Sequence, residues 1–311
     1  MGNIYHDPVM LAETIKLLNP GKNENFIDCT LGGGGHAQKI LEKTGPEGKL
    51  LGIDVDEDAI NESRRRLKKY KERIFFANRN FKDLKQIIHD NRFNNVSGIL
   101  LDLGVSYHQL ISPERGFSYK YEGRLDMRLG KEENNDAESL INEISKEDLA
   151  WILKSYGEVN NNRRFAEIIV KSRKEKYIKT TADLKEIIIK SGLINRRQEN
   201  KVLSQIFQAI RIAINNELEN LQNVLEQAIE ALNKNGRLAV ISYHSLEDRI
   251  TKKFFQQESR NCICPDEAVK CTCSHKKSLK IITKKPVTPT SSEIRKNKKS
   301  RSAKLRVVNK I

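Results

Sequence analysis

Four consecutive glycines, Gly32 to Gly35, close the short apolar segment Phe26-Ile-Asp-Cys29 and open a helix-like stretch, His36 to Lys43. A glycine run at a strand-to-helix junction exposes backbone N–H groups and lets a ligand come close to the main chain. It also sets the grammar of the downstream chain, because strand, glycine turn and helix form the first unit of a parallel sheet covered by helices. Lys49–Asp54 reads as a second strand, Asp58–Lys71 as a charged helix, Arg73–Ala77 as a third strand and Gly98–Asp102 as a fourth. The pattern then breaks. Residues 112–130 read as an irregular loop, and from Asp136 to about Glu219 the chain reads as helical. Within that stretch Ser145-Lys-Glu-Asp148 is a capping box and Thr181 caps a further helix. Strand grammar returns with an amphipathic helix, Glu217–Leu232, a turn at Asn235-Gly236, and strands at Arg237–Ser242 and Ala303–Val308. The expected fold is α/β: one open sheet built from residues 1–110 and 208–311, interrupted by an inserted all-α domain, 111–207.

A chain of 311 residues buries enough surface for a full core without disulfides or metals. No apolar run approaches the ~18 residues of a membrane-spanning helix. The N-terminus lacks the cationic and apolar regions of a secretory signal, and His6 stands where myristoylation favours Ser or Thr. A cytoplasmic protein is expected. Net charge is +15, but from Lys276 onward thirteen basic residues face one acid, Glu293. The body is therefore close to neutral and carries a basic tail, including Arg295, Lys296, Lys298, Lys299 and Arg301. Such a stretch suits a polyanion, and nucleic acid fits better than a membrane surface because aromatic and leucine anchors are missing.

The chemistry concentrates at strand ends. Asp54 ends the second strand, where an acid can accept hydrogen bonds from ribose hydroxyls. With the glycine run it indicates a nucleoside-containing cofactor. Gly32-x-Gly34-x-x-Ala37 also fits the dinucleotide fingerprint, so NAD competes with S-adenosylmethionine at this point. Asn80-Phe81 offers an amide and an aromatic face for an adenine. Asp102, ending the fourth strand before Leu-Gly-Val-Ser106, places an acid beside the cofactor's reactive end, which favours a cationic sulfonium. Four of the five cysteines, Cys262, Cys264, Cys271 and Cys273, fall close together. They are enough for zinc, but Cys-x-Cys is tighter than the usual ligand gap. They read as reduced thiols in an RNA-facing loop, and no metal is assigned. Cys29 reads as a small buried residue.

Nine motifs occur in order: His6-Asp-Pro-Val-Met, Gly32-Gly-Gly-Gly-His36, Ile99-Leu-Leu-Asp-Leu-Gly-Val-Ser106, Glu114-Arg-Gly-Phe-Ser118, Leu125-Asp-Met-Arg128, Tyr156-Gly-Glu158, Phe207-Gln-Ala-Ile-Arg211, Ile241-Ser-Tyr-His-Ser-Leu-Glu-Asp-Arg249 and Ser300-Arg-Ser-Ala-Lys-Leu-Arg306. Together they resemble the MraW/RsmH family of 16S rRNA cytosine-N4 methyltransferases, over nearly the whole chain. The resemblance implies a class I, Rossmann-like methyltransferase sheet with a helical insertion. It also implies S-adenosylmethionine as cofactor, and a P-site cytidine of 16S rRNA in the small ribosomal subunit as substrate. Carried over residue by residue, the cofactor contacts are Gly34, Gly35, His36, Asp54, Phe81, Asp102 and Gln109. The family commonly reads Val-Ser-Ser-Pro-Gln where this chain has Val105-Ser-Tyr-His-Gln109, which removes a rigid proline beside Gln109. Val159 and three asparagines after Glu158 look like a short insertion.

Cytosine N4 is a poor nucleophile, and an acceptor for its hydrogens would localise the lone pair. Many amino-methyltransferases use an Asp/Asn-Pro-Pro-Tyr motif for this; here Asp102-Leu-Gly-Val takes that place and Asp102 is the candidate catalytic residue. Ser106 and His244 are candidates for holding the base, which must leave its stack to react. Two readings compete with a methyltransferase: an NAD-dependent oxidoreductase on the same glycine turn, and a non-catalytic ribosome-assembly factor.

Overall fold

The computed structural model describes residues 8–130, 135–265 and 270–311. His6 and Asp7 of the first motif lie outside them. The chain divides into two compact units: residues 1–104 with 218–311, and residues 105–217.

The first unit is a seven-stranded sheet. Its elements in chain order are α1 (Leu11–Leu18), β1 (Asn25–Asp28), α2 (Gly35–Lys43), β2 (Leu50–Asp54), α3 (Glu57–Arg66), β3 (Ile74–Asn78), α4 (Leu84–Asp90) and β4 (Val96–Asp102). The second unit supplies α5 (Tyr107–Ile111), α6 (Ala137–Glu143), α7 (Lys146–Ser155), α8 (Asn162–Glu175), α9 (Thr181–Lys190) and α10 (Glu199–Asn215). The sheet unit then resumes with α11 (Glu217–Ala231), β5 (Leu232–Ser242), α12 (Ser245–Glu258), β6 (Leu279–Ile281), α13 (Ser291–Lys296) and β7 (Lys304–Lys310).

The strand order is β3-β2-β1-β4-β5-β7-β6. The first five strands of that order pair in parallel, and β7 runs antiparallel to both β5 and β6. Alternate residues of the central strands feed opposite faces, as a doubly covered sheet requires. Ile27, Leu51, Ile99, Leu101, Leu238 and Val240 pack on one face with Val224, Leu225 and Ala228 of α11 and Phe255 of α12. Phe26, Leu50, Leu100, Ala239 and Ile241 pack on the other with Leu18 of α1, Ile40 and Leu41 of α2 and Ile60 of α3. Each such Val, Leu, Ile or Phe side chain, fully buried, contributes about 1.5–3 kcal/mol of transfer free energy.

The helical unit has its own core, in which Leu149 and Leu153 of α7, Phe165 and Ile169 of α8, Leu184 and Ile188 of α9, and Leu203, Ile206 and Ile210 of α10 are buried together. Residues 112–130, expected to be irregular, hold only a short 3-10 turn, Pro113–Arg115. The segment is fixed by polar ties: Arg115 donates to the carbonyls of Arg128 and Leu129, and the Asn215 amide donates to the Met127 carbonyl.

Two sequence expectations need correction. Thr180, not Thr181, caps α9, in a reciprocal box with Asp183. Asn235-Gly236 does not separate a helix from a strand. It lies inside β5, where the pairing jumps from Val96↔Leu232 to Gly98↔Arg237. Asn235 takes a φ of 66°, so the extra residues form a bulge rather than a connection. The basic stretch after Lys276 holds more than the expected late strand. It contains β6, α13 and β7, and three of its cations are used internally. Lys304 and Arg306 pair with Asp248 at 3.1 and 2.6 Å, and Lys310 donates to the Leu232 carbonyl.

Candidate active site at the carboxyl ends of the parallel strands

β2, β1 and β4 lie side by side and parallel, and each ends in an aspartate: Asp54, Asp28 and Asp102. Ligands of open α/β sheets bind at this edge, where the strand order reverses. Desolvation pushes all three carboxyls upward. Asp28 is raised to about 7, by burial first; the Thr30 N–H opposes this, and the neighbouring Asp102 and Asp54 carboxylates add to it. Asp54 is raised to about 6 by burial, restrained by the N–H groups of Asp56 and Gly32. Asp102 is raised to about 7 by burial, with the Tyr243 hydroxyl opposing and Glu247 adding. Three clustered acids that resist ionisation form a site that a cation would relieve.

The glycine turn is tied to this acid row. Gly32 N–H donates to Asp54 Oδ2 at 2.8 Å, and Asp56 N–H donates to Oδ1 at 2.9 Å. Ser63 Oγ and the Arg66 guanidinium donate to the Gly32 and Gly33 carbonyls. Gly34 sits at φ 73°, and a Cβ there would lie 2.9 Å from Ser63 Oγ. Gly32, at φ 50°, has an open face, with nothing nearer to a built Cβ than the Thr30 carbonyl at 3.9 Å. The turn is therefore packed against α3 on one side and accessible on the other.

Asp102 is the most elaborately held of the three acids. Its N–H donates to Thr30 Oγ1 at 2.6 Å, and its Oδ1 accepts from the Tyr243 hydroxyl at 2.8 Å. Its Oδ2 lies 3.6 Å from Nδ1 of His36, whose Nε2 faces the Val9 carbonyl at 3.1 Å. His36 is buried in the first turn of α2 and so joins the N-terminal segment to the end of β4. Tyr243 follows β5 directly; burial, then the Asp102 charge, holds its hydroxyl well above 10. Phe81 is half-buried beside β3, in a turn that Asn80 caps by accepting from Lys82 N–H.

Gln109 falls in the helical unit. Its side-chain oxygen accepts from Ser106 N–H while Ser106 Oγ accepts from Gln109 N–H, a capping box on α5. That box supplies rigidity where the sequence lacks a proline. His244 is likewise the N-cap of α12, boxed with Glu247. Ser106 and His244 therefore have cap roles that account for their geometry. Asp28 and Tyr243 escaped sequence reasoning, because nothing local marks either one.

The Asp28 environment has a consequence for stability. Below about pH 4 the carboxyl is protonated in folded and unfolded chains alike. Between there and about 7 the unfolded chain loses the proton while the folded chain keeps it, so stability falls as pH rises and then levels off. Asp28→Asn removes this penalty and keeps an acceptor for Thr30 N–H. Its melting temperature should exceed the parent's above neutrality and converge with it in acid. Melting curves that stay parallel across that range would show that Asp28 ionises normally.

A sheet in this order, with β7 alone reversed against its neighbours, a glycine turn after β1 and an acid at the end of β2, defines a class I methyltransferase. The chain belongs to the MraW methylase family, whose model matches residues 3–311. It is accordingly an S-adenosylmethionine-dependent rRNA methyltransferase, and the oxidoreductase and non-catalytic readings fall away. Similar proteins include ribosomal RNA small subunit methyltransferase H of Clostridium botulinum (strain Kyoto / Type A2), 44% identical over 306 residues, covering 98% of this chain and 99% of the relative. The protein of the same name from Finegoldia magna is 41% identical over 308 residues, covering 98% of each. Among solved structures, an rRNA methylase from Streptococcus thermophilus aligns over 98% of both chains at 10% identity, with a TM-score of 0.44. Among the described residues, no helix is long and apolar enough to cross a membrane.

Proposed function

We propose that this chain methylates the exocyclic N4 of a P-site cytidine of 16S rRNA within the small ribosomal subunit, in the cytoplasm, with S-adenosylmethionine held along Asp28, Asp54 and Asp102. The row of three buried carboxyls beside an open glycine turn carries the cofactor half of this reading. The nucleotide and its setting rest on family membership.

The residues suit the cofactor. Gly34, Gly35 and His36 form the turn against which it lies, Asp54 accepts from the ribose hydroxyls, and Phe81 offers its partly open ring to the adenine. Asp102 and Asp28 provide negative charge for the ammonium and sulfonium end, and Gln109 is a further contact. When bound, S-adenosylmethionine supplies an electrophilic methyl group. The protein's own task is to hold N4 in line and draw electron density onto it. Asp102, poised to ionise near neutrality and fixed by Tyr243 and His36, suits an acceptor for an N4 hydrogen at Oδ2.

Small subunits from cells lacking the protein, incubated with the purified chain and S-adenosylmethionine, should gain one N4-methylated cytidine per 16S rRNA, read by mass spectrometry of nucleosides. Subunits that stay unmodified while the chain binds S-adenosylhomocysteine would sink the substrate assignment and leave the cofactor assignment standing.

The helical unit is proposed as a docking surface that shapes the approach of RNA, with α13 and the turn after it supplying affinity. Arg295, Lys296, Lys298, Lys299 and Arg301 are all exposed there. If each contacts a phosphate, neutralising all five should flatten the log–log salt dependence of RNA binding by up to about 3.5, at ~0.7 per contact on single strands. Affinity should fall for every sequence alike, since phosphate contacts position without specifying. Calorimetry should show cofactor affinity unchanged. A variant with the parent's salt slope would move the RNA surface to the exposed Arg163, Arg164, Arg196 and Arg197.

A further inference from the structure

We propose that Cys262, Cys264, Cys271 and Cys273 form a tetrathiolate zinc site that folds the connection between α12 and β6. All four sulfurs lie within 4.8 Å of one another. Cys262 and Cys271 are 3.4 Å apart, Cys271 and Cys273 3.6 Å, and Cys273 and Cys262 3.8 Å. Zinc–sulfur bonds of about 2.3 Å set the edges of a tetrahedron at about 3.8 Å; the three separations match one face of it, and Cys264, within 4.8 Å of each, is near enough to close it. A disulfide would need about 2.05 Å, and all four cysteines are free.

The backbone is arranged for thiolates. Ile263 N–H donates to Cys273 Sγ, Cys264 N–H to Cys262 Sγ and Thr272 N–H to Cys264 Sγ, each at 3.4 Å. The Cys264 contact folds the first Cys-x-Cys back on itself, which is how so tight a spacing turns both sulfurs inward. A divalent cation bound there displaces four thiol protons and leaves a centre of charge −2, in a stretch that also carries exposed Lys270, Lys276 and Lys277.

The connection also needs such a centre. Residues 259–278 contain neither helix nor strand among those described, and their one large apolar side chain described, Ile263, is 40% exposed. Loops longer than about 12–15 residues without internal structure are uncommon in compact domains, and among its described residues this one buries no large apolar side chain. Its ends are pinned: Ser278 N–H donates to the Glu258 carbonyl and Ser278 Oγ to the Glu258 carboxylate. Between the pins, His275 Nε2 lies 3.2 Å from the Gln257 carbonyl, and the sulfur cluster gathers the rest of the described chain.

The full chain, purified under a phosphine reductant without chelators, should carry close to one zinc by elemental mass spectrometry. Cobalt added to the stripped, reduced chain should give the intense thiolate-to-metal charge-transfer band and visible bands of a tetrahedral sulfur site. Cys271→Ser/Cys273→Ser, and separately Cys262→Ser, should lose the zinc and the cobalt bands, and should become cleavable within 259–278 while still binding S-adenosylhomocysteine. A reduced chain that takes up neither metal overturns the proposal, as does zinc retained by the double variant. Isolation as two disulfides that bind no zinc after reduction overturns it equally.

Discussion

Asp102→Asn is expected to fold, to bind S-adenosylhomocysteine and to turn over roughly 10²–10³-fold more slowly at saturating cofactor, the usual cost of removing one preorganised electrostatic partner from an active site. Asparagine is the cleaner substitution. It keeps the size of the side chain and an oxygen for the Tyr243 hydroxyl, which is buried and sits 2.8 Å from Oδ1. Asp102→Ala should abolish turnover, but it also strips that hydroxyl of its acceptor at a cost of about 1–3 kcal/mol. The asparagine variant also loses the ionisation that burial opposes, so its melting temperature above neutrality should match or exceed the parent's. A stable protein with little activity is thus the expected pairing. Single-turnover rates on small subunits measure it, and a variant within about tenfold of the parent would mean that positioning by other groups suffices.

Asp54→Ala should weaken S-adenosylmethionine binding roughly 10- to 150-fold, the equivalent of ~1.5–3 kcal/mol for a charge-assisted hydrogen bond. The geometry adds a complication, because Asp54 also accepts from Gly32 and Asp56 N–H and so braces the glycine turn. Loss of affinity could then come from the turn rather than from the ribose. A cofactor analogue lacking the ribose hydroxyls separates the two. If Asp54 meets the ribose, parent and variant bind the analogue with similar affinity, and calorimetry shows the penalty only with the natural ligand. A penalty of the same size with both ligands would make Asp54 a brace for the turn alone.

The central strands were legible because their apolar residues run nearly without interruption, as strands buried on both faces must. The three residues of β6 carry no such run, and α1 and α12 were not anticipated at all. The candidate site was legible where a strand visibly ends in an acid followed by turn residues, as at Asp54 and Asp102, which do end β2 and β4. Asp28 sits between Ile27 and Cys29 and looks like part of a strand. Its place beside Asp54 and Asp102 emerges only because β1 lies between β2 and β4, a neighbourhood set by topology rather than by sequence distance. Tyr243 reaches Asp102 for the same reason, through the β4–β5 pairing. Ser106 and Gln109 show the converse. Ser-x-x-Gln is itself a capping pattern, so the local hydrogen bonds answer a backbone need before any ligand does. The cysteine spacing counts residues along the chain and argued against a metal, whereas the zinc site proposed above relies on the Cys264 N–H turning the chain back.

The placement of the helical unit between β4 and β5 also bears on how the molecule is made. β4 and β5 pair along the middle of the sheet, yet the whole stretch from Leu103 to Ala231 is translated between them. While that stretch emerges, β1 to β4 exist as a half-sheet with the β4 edge unpaired, and open edges of this kind recruit other strands. The helical unit, rich in contacts between neighbouring helices, can fold in the meantime, because local contacts form fast. Folding order should therefore depart from chain order, with the helices of the second unit protected against hydrogen exchange before the β4–β5 pairing at the centre of the sheet. Chains arrested after α10 would be the species most prone to aggregate.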